Sequence, residues 1–116
     1  MEKDVFCKII AGELPGDIVH RDEDFVVVKD LHPKAPVHLL IVPVKHYEAL
    51  DSFKAEESEL LGRLLLLADK VAKEQGLGGK GYRLIMNDGA DGGKIVPHLH
   101  FHLLGGKNLG PKIIQE

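Results

Sequence analysis

The apolar positions of this chain form short β-like runs interrupted by one long helical stripe. Residues 5–11 suit a short helix, closed by Gly12 and followed by Pro15 in a loop. Residues 18–21 and 25–29 read as two strands joined by the acidic turn Asp22-Glu23-Asp24. Residues 37–43, Val-His-Leu-Leu-Ile-Val-Pro, are a third β-rich run with His38 near its start. Then the period changes. Over residues 55–75, Leu60, Leu61, Leu64, Leu65, Ala68, Val71 and Ala72 fall along one stripe at helical spacing, with Gly76 placed as a C-terminal cap. Residues 82–87 read as a fourth strand, 88–93 as a glycine-rich loop, and 96–104 as a fifth strand. About five strands, one long helix and a short N-terminal helix predict an α+β domain, an antiparallel sheet covered on one face.

The fifth run carries the chemistry. His98, His100 and His102 alternate with Leu99, Phe101 and Leu103, and a strand would put the three imidazoles on one face and the apolar residues in the core. Imidazole is the side chain whose unperturbed pKa lies nearest neutrality, so it serves as nucleophile, base, acid or metal ligand. From the residues alone, three readings stand: a half-exposed strand with satisfied histidines, a metal site, or a catalytic site. Asp30 alone reads as a turn residue before His32-Pro33, and Asn87 with its glycines as a hairpin loop. His20 and His32 read as surface or loop residues, and the leucine stripe as core.

Size and charge narrow the classes. With 116 residues the chain buries one core, so a single domain spanning 1–116 is expected. Its net charge of −3 argues against a general nucleic-acid binder but leaves room for a local site for a small anion. The charged start Met1-Glu2-Lys3-Asp4 has no signal-peptide run behind it, and no apolar stretch is long enough to cross a bilayer. A lone cysteine, Cys7, has no intrachain partner for a disulfide, and a cytoplasmic location is the expectation.

The motif His98-Leu99-His100-Phe101-His102-Leu103-Leu104 resembles the His-φ-His-φ-His-φ-φ signature of the histidine triad (HIT) family. The segments Asp30-Leu31-His32-Pro33-Lys34-Ala35-Pro36-Val37-His38, Ile41-Val42-Pro43, Asn87-Asp88-Gly89-Ala90-Asp91-Gly92-Gly93 and Val5-Phe6-Cys7-Lys8-Ile9-Ile10 resemble its Hint branch, so the likeness covers nearly the whole chain. The resemblance implies a HIT-like fold. It also implies a homodimeric enzyme cleaving purine nucleoside phosphoramidates or aminoacyl-adenylate-like compounds at the α-phosphorus, through a covalent nucleotidyl-histidine.

By the same resemblance, His100 is the nucleophile, His102 reaches a phosphate oxygen, His98 orients the site, and His38 completes a proton relay. Asp30 takes the ribose hydroxyls. Phe6, Ile9, Leu14, Val28 and Leu31 form a slot for the base, and Asn87, Gly93, Lys94 and Ile95 follow the ribose and phosphate. No metal is required for the chemistry, because imidazolium and backbone N–H groups stabilise the phosphoryl oxygens. Ile95 departs from the pattern: relatives place a hydroxyl residue there, and losing one transition-state donor costs on the order of 3 kcal/mol.

Some bacterial members carry a zinc built from Cys-x-x-Cys and two histidines. This chain offers Asp4, Cys7, His46 and His98 at those places, a set able to hold a structural zinc; the alternative is a buried cysteine beside a surface aspartate. Two rival functions remain at this stage: a dinucleoside polyphosphate hydrolase, and a nucleotide- or zinc-binding regulatory protein with incidental catalysis. The uridylyltransferase branch, with glutamine in place of His102, is disfavoured. The partners expected are thus a purine nucleotide and a second copy, with no nucleic acid or membrane. The tail over residues 108–116 is expected to reach the neighbouring site.

Overall fold

The computed structural model describes residues 4–93 and 96–111. Asp4 starts the first element: its side chain accepts the Cys7 N–H at 2.8 Å, satisfying one orphan donor of helix α1, Val5–Ile10. The chain then runs through β1 (Ile18–Arg21), β2 (Phe25–Lys29) and β3 (Val37–Pro43). Two 3-10 turns, Leu50–Ser52 and Ala55–Glu57, lead into helix α2, Ser58–Glu74, followed by β4 (Tyr82–Met86) and β5 (Phe101–Gly105). The strands form one sheet in the order β1-β2-β3-β5-β4, every neighbouring pair antiparallel. The α+β architecture expected from the apolar periods is the one observed. The start of the long helix differs, because residues 55–57 are wound as a tighter turn.

Strand β2 and most of β3 are apolar on both faces for a reason. On one face Phe25, Val27, Leu39, Ile41 and Leu103 pack with Leu64, Ala68, Val71 and Ala72 of α2. On the other, Val26, Val28, Leu40 and Val42 pack under Phe6 of α1. The sheet is therefore not covered on one face only; the short helix closes part of the second. Burying Leu64 alone is worth about 2 kcal/mol. The leucine stripe is narrower than its spacing suggests, since Leu65 is 52% exposed, and Leu66 beside it is 73% exposed. Helix α2 ends in a Schellman motif: Gly76, at φ +84°, donates to the Lys73 carbonyl, and Leu77 donates to that of Ala72 while burying its side chain.

The fifth strand is shorter than the expected 96–104 and begins only at Phe101. Its ladder with β3 ends at the Ile41–Phe101 pair. The next β3 residue facing that side is Pro43, which has no N–H to give. Its free carbonyl is instead 3.1 Å from His98 Nε2. The backbone N–H of His98 goes to the Val96 carbonyl at 2.8 Å, and that of Leu99 to the Tyr47 carbonyl at 2.7 Å. All three histidines turn away from the main core towards the α1 side, but of them only His102 lies in the ladder. The apolar alternates behave as expected, with Leu99, Phe101 and Leu103 all in the main core.

Candidate active site

Register places the first pair of functional side chains. His38 lies opposite Leu104, and His102 opposite Leu40, so the two histidines are diagonal neighbours on the face that α1 partly covers. At that spacing two imidazoles can meet, and His38 Nε2 is 3.0 Å from His102 Nδ1. Asp30, just after β2, brings Oδ2 to 3.4 Å from the same His38 nitrogen. Its Oδ1 accepts the His32 N–H at 2.8 Å, so the turn geometry and the proximity to His38 hold together.

Hydrogen-bond partners assign the tautomers. The Lys34 backbone N–H donates to His38 Nδ1 at 3.1 Å, so that nitrogen is an acceptor and the proton of neutral His38 sits on Nε2. His38 therefore donates to His102 Nδ1, leaving the Nε2–H of His102 directed away from the pair. His100 Nδ1 lies 2.8 Å from the His98 carbonyl, which can only accept. Nδ1 of His100 carries the proton, and Nε2 keeps an unshared pair. The His100 ring lies 5.1 Å from that of His102 and 4.8 Å from Phe6, and it is buried. A bare imidazole nitrogen beside a hydrogen-bonded imidazole pair is suited to attack an electrophile and protonate what leaves.

Burial sets the electrostatics. Loss of water lowers the His38 pKa below the usual histidine value, Lys34 pushes the same way, and Asp30 only partly opposes them. Burial also lowers the His102 pKa, helped by the neighbouring His100 and His38. The folded state thus resists protonation at both, while the unfolded chain takes up protons near pH 6.5. Stability contributed by these groups is complete above that pH and falls as pH drops through it. Urea midpoints are expected to hold between pH 7 and 8 and to decline below about 6.5; a midpoint that is flat or rises on acidification contradicts the assignment.

His98 stands apart from the other two. It is fully buried, and its Nδ1 meets Asp4 Oδ2 at 3.1 Å and Cys7 Sγ at 3.5 Å. His46 joins them, with Nδ1 3.3 Å from Cys7 Sγ and 3.3 Å from Asp4 Oδ2. Burial raises the Asp4 carboxyl, but the Cys7 amide and His98 outweigh it, so its pKa is lowered. One carboxylate oxygen, one sulfur and two imidazole nitrogens lie within 4.8 Å of one another, a donor set that fits tetrahedral zinc.

The remaining expected contacts begin at the His100 ring. Phe6 touches it, while Ile9 is half-buried and packs beside Phe6. Val28 is 3% exposed and lies beneath the surface, and Leu14 and Leu31 are exposed. Asn87 donates to the Gly92 carbonyl at 2.6 Å, bracing the 88–93 loop. A Cβ on Gly92 would sit 2.4 Å from the Asp88 carbonyl oxygen, so that turn admits only glycine. Lys94 and Ile95 lie outside the described residues, as do residues 112–116 of the tail. Two groups that no pattern of side chains reveals are main-chain atoms: the Lys34 N–H and the Pro43 carbonyl.

A HIT-domain profile matches residues 11–109 of the chain. The chain is 43% identical over 115 residues to the purine nucleoside phosphoramidase of Escherichia coli (strain K12), covering 99% of this chain and 97% of that protein. Among solved structures, a HIT family hydrolase from Clostridium thermocellum superposes with a TM-score of 0.92 at 46% identity, over 98% of this chain and 99% of that one. A histidine triad protein from Clostridium difficile does so with a TM-score of 0.90 at 41% identity, over 97% and 99%. No helix among the described residues is long and apolar enough to cross a membrane. Likeness of this extent, from one end of the fold to the other, makes the chain a member of the HIT family and one of its hydrolases.

Proposed function

We propose that the protein hydrolyses purine nucleoside 5′-phosphoramidates, or similar acylated nucleotides, through a covalent nucleotidyl-histidine on His100. The observation that carries the reading is the bond from His100 Nδ1 to the His98 carbonyl, which frees Nε2 for attack. In the first step Nε2 bonds to the α-phosphorus and the P–N bond to the amine breaks, the amine leaving with a proton from the His38–His102 pair. In the second, water attacks phosphorus, the bond to His100 breaks, and the proton from water restores the pair. The nucleoside monophosphate leaves. An arriving phosphoryl anion favours the charged form of the pair, offsetting the burial that otherwise keeps it neutral.

The nucleoside has its own contacts in this reading. Asp30 accepts from the ribose hydroxyls, and the base lies against Phe6, Ile9 and Leu31, with Leu14 at the edge and Val28 beneath. Asn87, Gly93, Lys94 and Ile95 follow the ribose and phosphate. Asp4, Cys7, His46 and His98 would hold zinc as a structural group, which supplies rigidity and takes no part in bond breaking. The exposed Leu65 and Leu66 of α2 and Tyr82 at the sheet edge are surface for a second copy, and the lone thiol suits a reducing cytoplasm.

Wild-type turnover decides between substrates. An adenosine phosphoramidate with a fluorogenic amine is expected to be cleaved faster than a diadenosine polyphosphate, with an acid-labile adenylyl adduct trapped on His100 by mass spectrometry. Faster cleavage of the polyphosphate would move the protein to that activity, and AMP binding without turnover of either would make it a nucleotide-binding regulator.

A further inference from the structure

Just before β5, where the ladder has stopped, one peptide group joins two hydrogen bonds. The His98 carbonyl accepts the His100 Nδ1–H at 2.8 Å. At the other end of the same peptide, the Leu99 N–H donates to the Tyr47 carbonyl at 2.7 Å. A trans peptide is planar, with its C=O and N–H pointing opposite ways, so whatever holds the N–H also aims the carbonyl. Donation at one end polarises the group and strengthens the acceptor at the other. A single line of bonds therefore runs from Tyr47 through the His98–Leu99 peptide to the His100 ring.

Tyr47 is itself held at both its ring and its hydroxyl. The residue is buried in the main core, and its ring stacks on that of Phe53, with centroids 3.8 Å apart and planes 7° from parallel. Its hydroxyl donates to Glu57 Oε2, and Lys45 Nζ lies 3.4 Å from that oxygen. Through Oε1, Glu57 also accepts the Lys54 N–H at 3.0 Å, which fixes its carboxylate in the tight turn leading into α2. A buried phenol needs a partner for its O–H, and this one is fastened to the backbone at its own base. The carbonyl that receives Leu99 is thus placed from the α2 side of the sheet, although His100 lies against Phe6 on the α1 side.

We propose that Tyr47 is a positioning residue for His100: anchored on Phe53 and Glu57, it orients the His98–Leu99 peptide, whose carbonyl keeps the ring proton on Nδ1 and leaves Nε2 bare. None of the three anchoring side chains is among the nucleotide contacts assigned above, and their influence passes through main-chain atoms. The effect on rate rests on the phosphoramidase reading; the effect on the His100 tautomer does not.

The test compares the full chain with Tyr47→Phe, which keeps the stacked ring and loses only the hydroxyl, and with Glu57→Ala, Glu57→Gln and the combination of Tyr47→Phe with Glu57→Ala. Val19→Ala, which trims a partly buried core contact in β1, controls for general loosening. Turnover is read on the adenosine phosphoramidate, and the His100 tautomer from its ring 15N resonances. Tyr47→Phe and Glu57→Ala are each expected to lower kcat about three- to ten-fold with little change in KM, and to turn a single Nδ1–H tautomer into a mixture. Because both remove one interaction, the combined variant should be no slower than either alone. Glu57→Gln, whose amide oxygen still accepts the hydroxyl, should stay within about two-fold of wild type. In an active enzyme, Tyr47→Phe with unchanged kcat or unchanged His100 resonances overturns the proposal. So do losses that multiply in the combined variant, Glu57→Gln as slow as Glu57→Ala, or a shift of the His100 resonances as large in Val19→Ala. If the wild type does not turn over the substrate, the phosphoramidase reading fails, and the His100 resonances alone decide the role of Tyr47.

Discussion

His100→Ala is expected to lower turnover of an adenosine phosphoramidate by about 10,000-fold or more while AMP still binds. The size follows from what is removed. Without Nε2 there is no protein atom to bond to phosphorus, and the reaction reverts to direct attack by water with the rest of the site left to help. The ring is buried against Phe6, and its other nitrogen is tied to the His98 carbonyl, so it is held in one orientation before substrate arrives. Binding should survive because the nucleoside contacts assigned to Asp30, Phe6, Ile9 and Leu31 remain. Calorimetric titration with AMP separates the two effects: turnover retained in the variant would end the nucleophile assignment, and binding lost with it would point to collapse of the site.

The second large effect belongs to the relay. His102→Ala should slow the same reaction about 100- to 1,000-fold, the range typical of a lost general acid. A sharper criterion is how that loss varies with the leaving group. An alkylamine cannot leave without a proton, whereas a weakly basic arylamine needs less help. The defect of the variant should therefore shrink as the leaving amine becomes less basic. A defect of constant size across such a series would mean that His102 binds the phosphoryl oxygens and does not deliver the proton. His38 acts through His102, at 3.0 Å, and its removal should follow the same trend with smaller amplitude.

The strands were legible because their signal is local. Residues 18–21, 25–29 and 37–43 are ladders over the spans that their apolar runs predict, bounded by turn residues that the chain shows openly. The helix stripe was legible as a helix but not as a surface: Leu65 shares its spacing with Leu61 and Leu64, yet nothing in the described residues covers it. The histidine run misled for a physical reason. Alternation over 98–104 is the period of a strand, but a ladder needs a donor on the partner, and Pro43 supplies none. The ladder stops, His98 joins Asp4, Cys7 and His46, His102 joins Asp30 and His38, and His100 lies between them. What the sequence could not show at all were the Lys34 N–H and the Pro43 carbonyl, because every residue type brings a backbone and only the fold decides where it points.

The Lys34 amide at His38 Nδ1 has one more effect, on the traffic of protons. A proton can enter or leave that nitrogen only by breaking the bond to the loop, so the far end of the relay is a cul-de-sac. Proton exchange of the pair therefore runs through His102, the end away from the loop. In the proposed reaction the proton that the departing amine carries off is returned by the hydrolytic water itself, which couples the two half-reactions without any moving part. The exchange rate of the Lys34 amide is a direct gauge of that seal: slow while the loop holds His38, fast whenever the dead end opens.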